Sequence, residues 1–447
     1  MYRTGLPSCP NRIICTESEI TPFSTTRARA PWHALAAAIA WLAIATTPAA
    51  ANPSDPLSLG AAVRSALAHS RGLQASDAAA AGARDMAVAA AQRPDPVLRL
   101  SLDNLPVNGP DRFSITRDFM TMRSVALMQT LPNADKRRAR GERFEREADA
   151  ALSERTQRAA TLQTEVAQAW LERRMQEQRL EVLQAQIDEA RVLVQTTEAA
   201  LRGGRGSTAD ALSAREALAQ LEQGLIGAQA ERANARLTLA RFTGGSPDQP
   251  LADPPPWQRS TATIGQMDLL PDLAALQARE AVARAEAEVA RQELRPDWSA
   301  EVMFSQRGSQ FSNMVSIGVS VPLQWDKPQR QQRELAARLA RVNELEAERE
   351  EKTRERALQV QRWQQDWRAG RDRLAYLDAQ RQPLATQRVD AALAAYRGGR
   401  EGLGAVLQAR RDALNLALER LALERDTAGL WAQLEYLLPD TTTGVKP

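Results

Sequence analysis

Cysteine is nearly missing from this chain: Cys9 and Cys15 are the only two in 447 residues, and both lie ahead of an apolar run near the N-terminus. Everything downstream is therefore without a disulfide framework or a thiolate metal site. Histidine is as scarce, with His33 inside the apolar run and His69 the only other one. No Gly-rich phosphate loop, HExxH or GxSxG occurs, so nothing supports an enzyme, and no catalytic, cofactor-binding or metal-ligating residue is expected. An excess of one charge is missing too. Lys+Arg 58 against Asp+Glu 55 leaves +3, too balanced for a nucleic-acid partner. Past Asn52 no run of 18 apolar residues occurs, which excludes a membrane-spanning helix there but not a β-barrel.

What is present starts with a processing segment. Arg27 and Arg29 precede APWHALAAAIAWLAIATTPAAA, which ends with Ala49 and Ala51 spaced for small-x-small cleavage. Residues 1–51 are thus expected to be a signal peptide, with the mature chain starting near Asn52. A membrane anchor is the lesser alternative, because the run is short for a span. A lipoprotein would need cysteine where Ala51 and Asn52 stand. Removing residues 1–51 takes away four arginines and two glutamates and leaves +1.

The rest is written twice. LRGGRGSTADALSAR at Leu201 reads like YRGGREGLGAVLQAR at Tyr396, about 195 residues later, and Leu221 and Leu239 keep register with Leu416 and Leu434. Upstream, RPDPVLRL at Arg93 pairs with RPDWSAEV at Arg295, and Leu131-Pro132 to Lys136 pairs with Val321-Pro322 to Lys327. Three matched landmarks in one order indicate an internal duplication. The expected organisation is a first repeat at 52–245, a connector at 246–265, a second repeat at 266–439 and a tail at 440–447. The connector, dense in Pro and Gly, is expected to pack on the outside of the helices.

Each copy predicts the same elements. An Ala-rich helix, about 57–92 and 271–294, stops at Arg-Pro, where proline disfavours helix in the residue before it. Two β runs and a polar loop follow. A long stretch then spans 134–202 without proline and 329–397 with only Pro383. Leu180, Leu183, Ile187, Ala190 and Val194 alternate three and four apart, the period of a coiled coil. At 1.5 Å per residue each helix would be on the order of 100 Å long. Glycine permits the positive φ that ends a helix, so Gly203-Gly204 and Gly398-Gly399 are read as hairpin tips, from which helices of about 35 to 40 residues return.

The β runs are two-faced. Trp298, Ala300, Val302 and Phe304 alternate with Ser299, Glu301, Met303 and Ser305, and Val315, Ile317, Val319 and Val321 with Ser316, Gly318 and Ser320. In copy one Leu98, Leu100 and Leu102 repeat the pattern. A half-buried soluble sheet would alternate in this way, as would a membrane barrel with a wet interior. Trp298 and Trp325, at the strand ends beside the helices, suit an interfacial girdle and favour the barrel. Four strands cannot close one, and an open edge in lipid leaves backbone groups unpaired at several kcal/mol each. Closure must come from other copies, and three chains supply twelve strands, enough for an open lumen. The strand-joining loop DRFSITRDFMTMR holds Phe113, Phe119, Met120 and Met122. It is expected to be a self-packed cap rather than a soft-metal site.

Duplication, β-hairpins, long helices and Gly tips together resemble the TolC family of outer-membrane efflux channels over nearly all of the mature chain. The family's tips read Gly, then Asp-Val-Leu beginning six residues on, then Ala. Here Gly204 leads to Asp210, Ala211, Leu212 and Ala214, and Gly399 to Ala405, Val406, Leu407 and Ala409, so the second Asp is missing. RPDP and LMQTLPNADKRRAR look closest to the heavy-metal efflux group that includes CzcC and CusC, although Ala134-Asp135-Lys136-Arg137 stands where that group has Gly-Lys-Arg. The resemblance implies a mainly α protein with a small β part: a homotrimer with a twelve-stranded outer-membrane β-barrel and a periplasmic α-barrel of helical hairpins. It further implies a passive conduit, a periplasmic adaptor gripping the tips and an inner-membrane pump of the RND type, with heavy-metal cations as a candidate cargo. Gly203, Gly204, Ser207, Asp210, Gly398 and Gly399 are the expected docking and aperture residues. Their bland reading is that they only shape the turn. The competing function, a soluble periplasmic coiled-coil adaptor or structural protein, leaves the amphipathic β-hairpins unexplained.

Overall fold

The structure is a computed structural model and describes residues 56–258 and 269–438. The expected signal peptide and cleavage point, the end of the connector and the 440–447 tail lie outside the described residues. Helix α1 (Leu59–His69) and α2 (Arg71–Ala91) occupy the first Ala-rich stretch, and β1 (Val97–Asp103) and β2 (Met122–Leu131) follow. The first hairpin is α3 (Ala134–Arg202) and α4 (Thr208–Thr243). The second copy repeats the order with α5 (Pro271–Gln292), β3 (Trp298–Gln306), β4 (Met314–Ser320), α6 (Gln331–Tyr376), α7 (Gln382–Arg397) and α8 (Leu403–Glu435).

The Ala-rich stretch expected as one helix is two. Ser70 is extended, and its hydroxyl accepts from the Leu73 amide at 3.3 Å, which caps a new helix instead of continuing the old one. The long stretch of copy one behaves as expected: α3 is one helix of 69 residues, about 100 Å long. Its start is capped by Asn133, whose side chain accepts from the Asp135 amide at 3.1 Å.

In copy two the helix passes Pro383 without stopping. Leu377–Arg381 form a π-helical turn between α6 and α7, closed by the Gln382 amide donating to the Leu377 carbonyl. Proline has no amide to give, and in an α-helix its ring would strike the carbonyl four residues back, here that of Ala379. One extra residue in the turn relieves this, as π-bulges do. Two ion pairs bind the turn to α8: Arg420 Nε to Asp378 at 2.6 Å and Arg381 to Glu419 at 3.3 Å.

The main core lies midway along the helices, where α1, α3, α6, α8 and the connector meet. Trp170, Val166 and Ala432 are fully buried there with Val360, Trp367 and Trp431. Trp170 Nε1 donates to the Leu57 carbonyl at 2.9 Å and Trp367 Nε1 to the Trp257 carbonyl at 3.3 Å, whereas the buried Trp431 Nε1 has no protein acceptor. The connector is strapped down. Leu57 bridges Leu251, with its amide 2.7 Å from the Pro250 carbonyl, Trp257 is buried in the core, and the buried Arg173 donates to the Gln249 carbonyl. Residues 246–258 are therefore packed on the helices rather than a free linker.

The four strands form one antiparallel sheet in the order β1-β2-β3-β4. The two β-hairpins, one from each copy, join through β2 and β3. Among the described residues no helix is long and apolar enough to cross a membrane.

Candidate functional site

The two tips are built alike. Gly203 and Gly398 cap their helices, and Gly204 and Gly399 follow with φ of +70° and +68°. The Arg205 amide reaches back to the Ala200 carbonyl and the Arg400 amide to the Ala395 carbonyl, both at 3.0 Å, while Gly204 and Gly399 bond Leu201 and Tyr396 at 3.0 Å. This is the Schellman arrangement, which satisfies the last carbonyls of a helix and places its second glycine in the left-handed region. A Cβ on Gly204 or Gly399 would meet nothing within 4 Å. The demand for glycine there is conformational, and the surface around it is open.

After the turn the copies differ. Ser207 caps α4, its hydroxyl accepting from the Ala209 amide at 3.1 Å, and Asp210 sits in the first turn, where a carboxylate suits the helix dipole. The second tip has Gly402 as its cap, with no side-chain bond, and no acid in the first turn. Gly203, Gly204, Ser207, Gly398 and Gly399 are exposed and Asp210 is half-buried. The turn-shaping role of the glycines is thus visible in the backbone.

The hairpins also pack together. Leu403 and Val406 are fully buried against Leu193 and Ala214, with Tyr396 at the margin. Arg410 reaches Glu189 at 3.4 Å, tying α8 to α3, and Arg215 Nε holds Glu198 at 2.8 Å across the first hairpin. Burial, and then the charge of Asp210, push the Tyr396 phenol above its ordinary pKa. Tyr396, Gly206, Leu403 and Val406 had no assigned role in the sequence reading. Tyr396 could have been found as a departure, since copy one has Leu201 at that place. Gly206 is needed because a Cβ would stand 2.7 Å from the Leu201 amide nitrogen.

At the other end, the sheet has one apolar and one polar face. The register aligns Leu98, Leu127, Val302 and Ile317 in one row and Leu100, Val125, Phe304 and Val315 in the next. Leu100 is 70% and Ile317 80% exposed, while Ser124, Ala126 and Ser305 on the opposite face are 3%, 2% and 2%. The apolar side is therefore the more exposed one, and in a closed barrel it would be the convex outer wall with the polar side concave. Ser124 links the Asp103 carboxylate at 2.7 Å to Ser305 at 2.9 Å, and Arg99 pairs with Glu301 at 2.8 Å. Beyond the strands, Arg307 donates to the Ser312 and Phe119 carbonyls. Phe113, Phe119 and Met120 remain exposed, so the strand-joining loop is held by polar side chains bonded to its backbone, such as Asp118 accepting from the Met120 amide at 2.8 Å, rather than by an aromatic core.

Residues 62–245 match the family model described as outer membrane efflux protein. Over that first copy the sequence is similar to the outer membrane efflux protein family. The match spans the first copy nearly to the connector. The fold is also that of solved channels. The outer-membrane channel OprN aligns at a TM-score of 0.73 and 23% identity over 86% of this chain and 90% of that one. VceC from Vibrio cholerae aligns at 0.69 and 21% over 85% and 95%, and CusC at 0.73 and 17% over 85% and 91%. No curated protein sequence gives a significant match. Among the described residues no group of three or more His, Cys, Asp or Glu is placed to hold a metal ion.

Proposed function

We propose that this protein works as a homotrimer, the outer-membrane efflux channel of a tripartite system. It gives substrates passive passage from an inner-membrane pump to the exterior. The observation that carries the reading is the sheet: among the described residues it has four strands, both edges unpaired, with an exposed apolar face. In water that face would be an aggregation surface. In lipid it is the required outer wall, provided that other copies pair with β1 and β4. Three copies give twelve strands, and the helical hairpins then stand together as a tunnel on the periplasmic side.

Trimer symmetry sets six similar tips in a ring. Gly203, Gly204, Gly398 and Gly399 would present open backbone to a periplasmic adaptor, and Ser207 and Asp210 would mark alternate tips. Three acidic tips and three without acid give the adaptor two kinds of contact, so its footprint is expected to repeat three times rather than six. Behind the adaptor an RND-type pump would supply the cargo. The resemblance of RPDP at Arg93 and of Leu127 to Arg140 makes heavy-metal cations the substrate class carried forward.

Cell fractionation with bilayer recording tests the reading. The mature protein should leave washed outer membranes only with detergent and should conduct ions when reconstituted. Recovery in osmotic-shock fluid would support the soluble adaptor instead.

A further inference from the structure

The polar face of the sheet carries one kind of long apolar side chain. Met122, Met128, Met303 and Met314 all lie on it, with Val97 and Ala126 as the other apolar residues. They are four of the nine methionines in the chain. The convex face is built from Leu, Val, Ile, Phe and Trp and has no methionine. If the concave face needed only apolar filling, leucine or valine would serve there as they do on the other side.

The register orders three of these thioethers. Met128 on β2 stands opposite Glu301 on β3, and Met303 lies two residues further along β3 on the same face. Met303 stands opposite Ser316 on β4, and Met314 lies two residues further in the same direction. Each step across a strand thus climbs one pleat, away from the helices and toward the strand-joining loops. With strands about 4.8 Å apart and a rise of about 3.4 Å per residue, the rungs are roughly 8 Å apart at the backbone. Methionine side chains with three rotatable bonds can shorten that separation. Glu301 shares the first row with Met128, and Asp103 pairs with Met122 at the far end.

We propose that Met128, Met303 and Met314 form a thioether ladder on the channel wall that binds a soft monovalent metal cation, Cu(I) or Ag(I), at successive rungs during passage. Thioether sulfur is a soft donor that favours Cu(I) and discriminates against hard cations. One sulfur per rung gives weak, exchangeable binding, which suits transit rather than storage. The inference rests on the channel reading, because only a trimeric barrel makes the concave face a lumen.

The test uses the purified full-length trimer and silver nitrate in chloride-free buffer. Bound Ag(I) is counted after gel filtration, and single-channel conductance is recorded with and without Ag(I). Wild type should retain Ag(I) and lose conductance reversibly on its addition. The combined M128L, M303L and M314L variant should bind at least ten-fold more weakly and conduct alike with and without Ag(I), and M86L should behave as wild type. If the combined variant fails to trimerise, the three single variants should each lower the bound silver. Silver binding unchanged by these substitutions, or none in wild type, overturns the ladder. A wild type that conducts no ions sinks the channel reading itself, a separate outcome.

Discussion

Replacing Gly204 and Gly399 separates shaping the tip from being gripped at it. Both glycines have φ near +70° and open space where a Cβ would go, so alanine adds no clash and its whole effect is the left-handed penalty of about 1–2 kcal/mol. Such a loss raises the local opening of each turn roughly 5- to 30-fold. Asparagine tolerates the left-handed region far better. The Gly204→Asn, Gly399→Asn pair should therefore keep the turn while adding a side chain to the exposed surface. Hydrogen exchange read on the peptides containing Arg205 and Arg400 measures the turn, because those amides close the Schellman bonds at 3.0 Å. Adaptor binding measures the grip. Alanine should accelerate exchange at the tips, while asparagine should leave it near wild type and still weaken adaptor binding. Equal exchange in both variants would refute the conformational argument, and full adaptor binding by the asparagine variant would refute docking at the glycines.

Other perturbations reach different parts of the molecule. Trp170→Ala removes a fully buried indole and its bond to Leu57 and should cost about 3–5 kcal/mol, seen as a lower thermal midpoint of the trimer; an unchanged midpoint would mean the mid-helix core is not where stability resides. Arg173→Met deletes the buried donor to Gln249, a charged hydrogen bond of about 1.5–3 kcal/mol, and should open the connector to protease between residues 243 and 258, whereas cleavage at the wild-type rate would show that Trp257 alone holds it. Tyr396, followed by ultraviolet titration in a Tyr376→Phe, Tyr436→Phe background, should ionise above its ordinary value. Because folding raises that pKa, the stability it contributes is complete below about pH 10 and is lost as pH rises through the folded value. Asp210→Asn removes the smaller cause, so the midpoint should fall without returning to normal; no movement would place Asp210 too far away to act.

Much of the architecture was legible because its signals are one-dimensional. The proline-free stretch after Pro132 delimits α3 at 134–202 as the structure has it, and the Gly-Gly pairs locate both turns because a positive φ is a local demand. Alternation in β3 and β4 names the convex face, since period two needs no knowledge of partners. The break at Ser70 was hidden in an Ala-rich run, where a serine reads as neutral until its hydroxyl is seen capping Leu73. Pro383 read as an interruption, yet a one-residue π-turn lets the helix continue, held by Asp378 and Glu419 pairs that involve α8 some 40 residues away. The candidate site divides in the same manner. Gly203, Gly204, Gly398 and Gly399 announce themselves, whereas the nearness of Tyr396 to Asp210 depends on two hairpins packing through Leu403 and Val406. The diagonal order of Met128, Met303 and Met314 depends on strand register, which no single run contains.

Native mass spectrometry of the detergent-extracted mature protein tests the central claim most directly. A sheet whose β1 and β4 edges are both open should be closed only by further copies of the same chain, and the account predicts an assembly of three chains. A stable single-chain mass under the same mild conditions would contradict it.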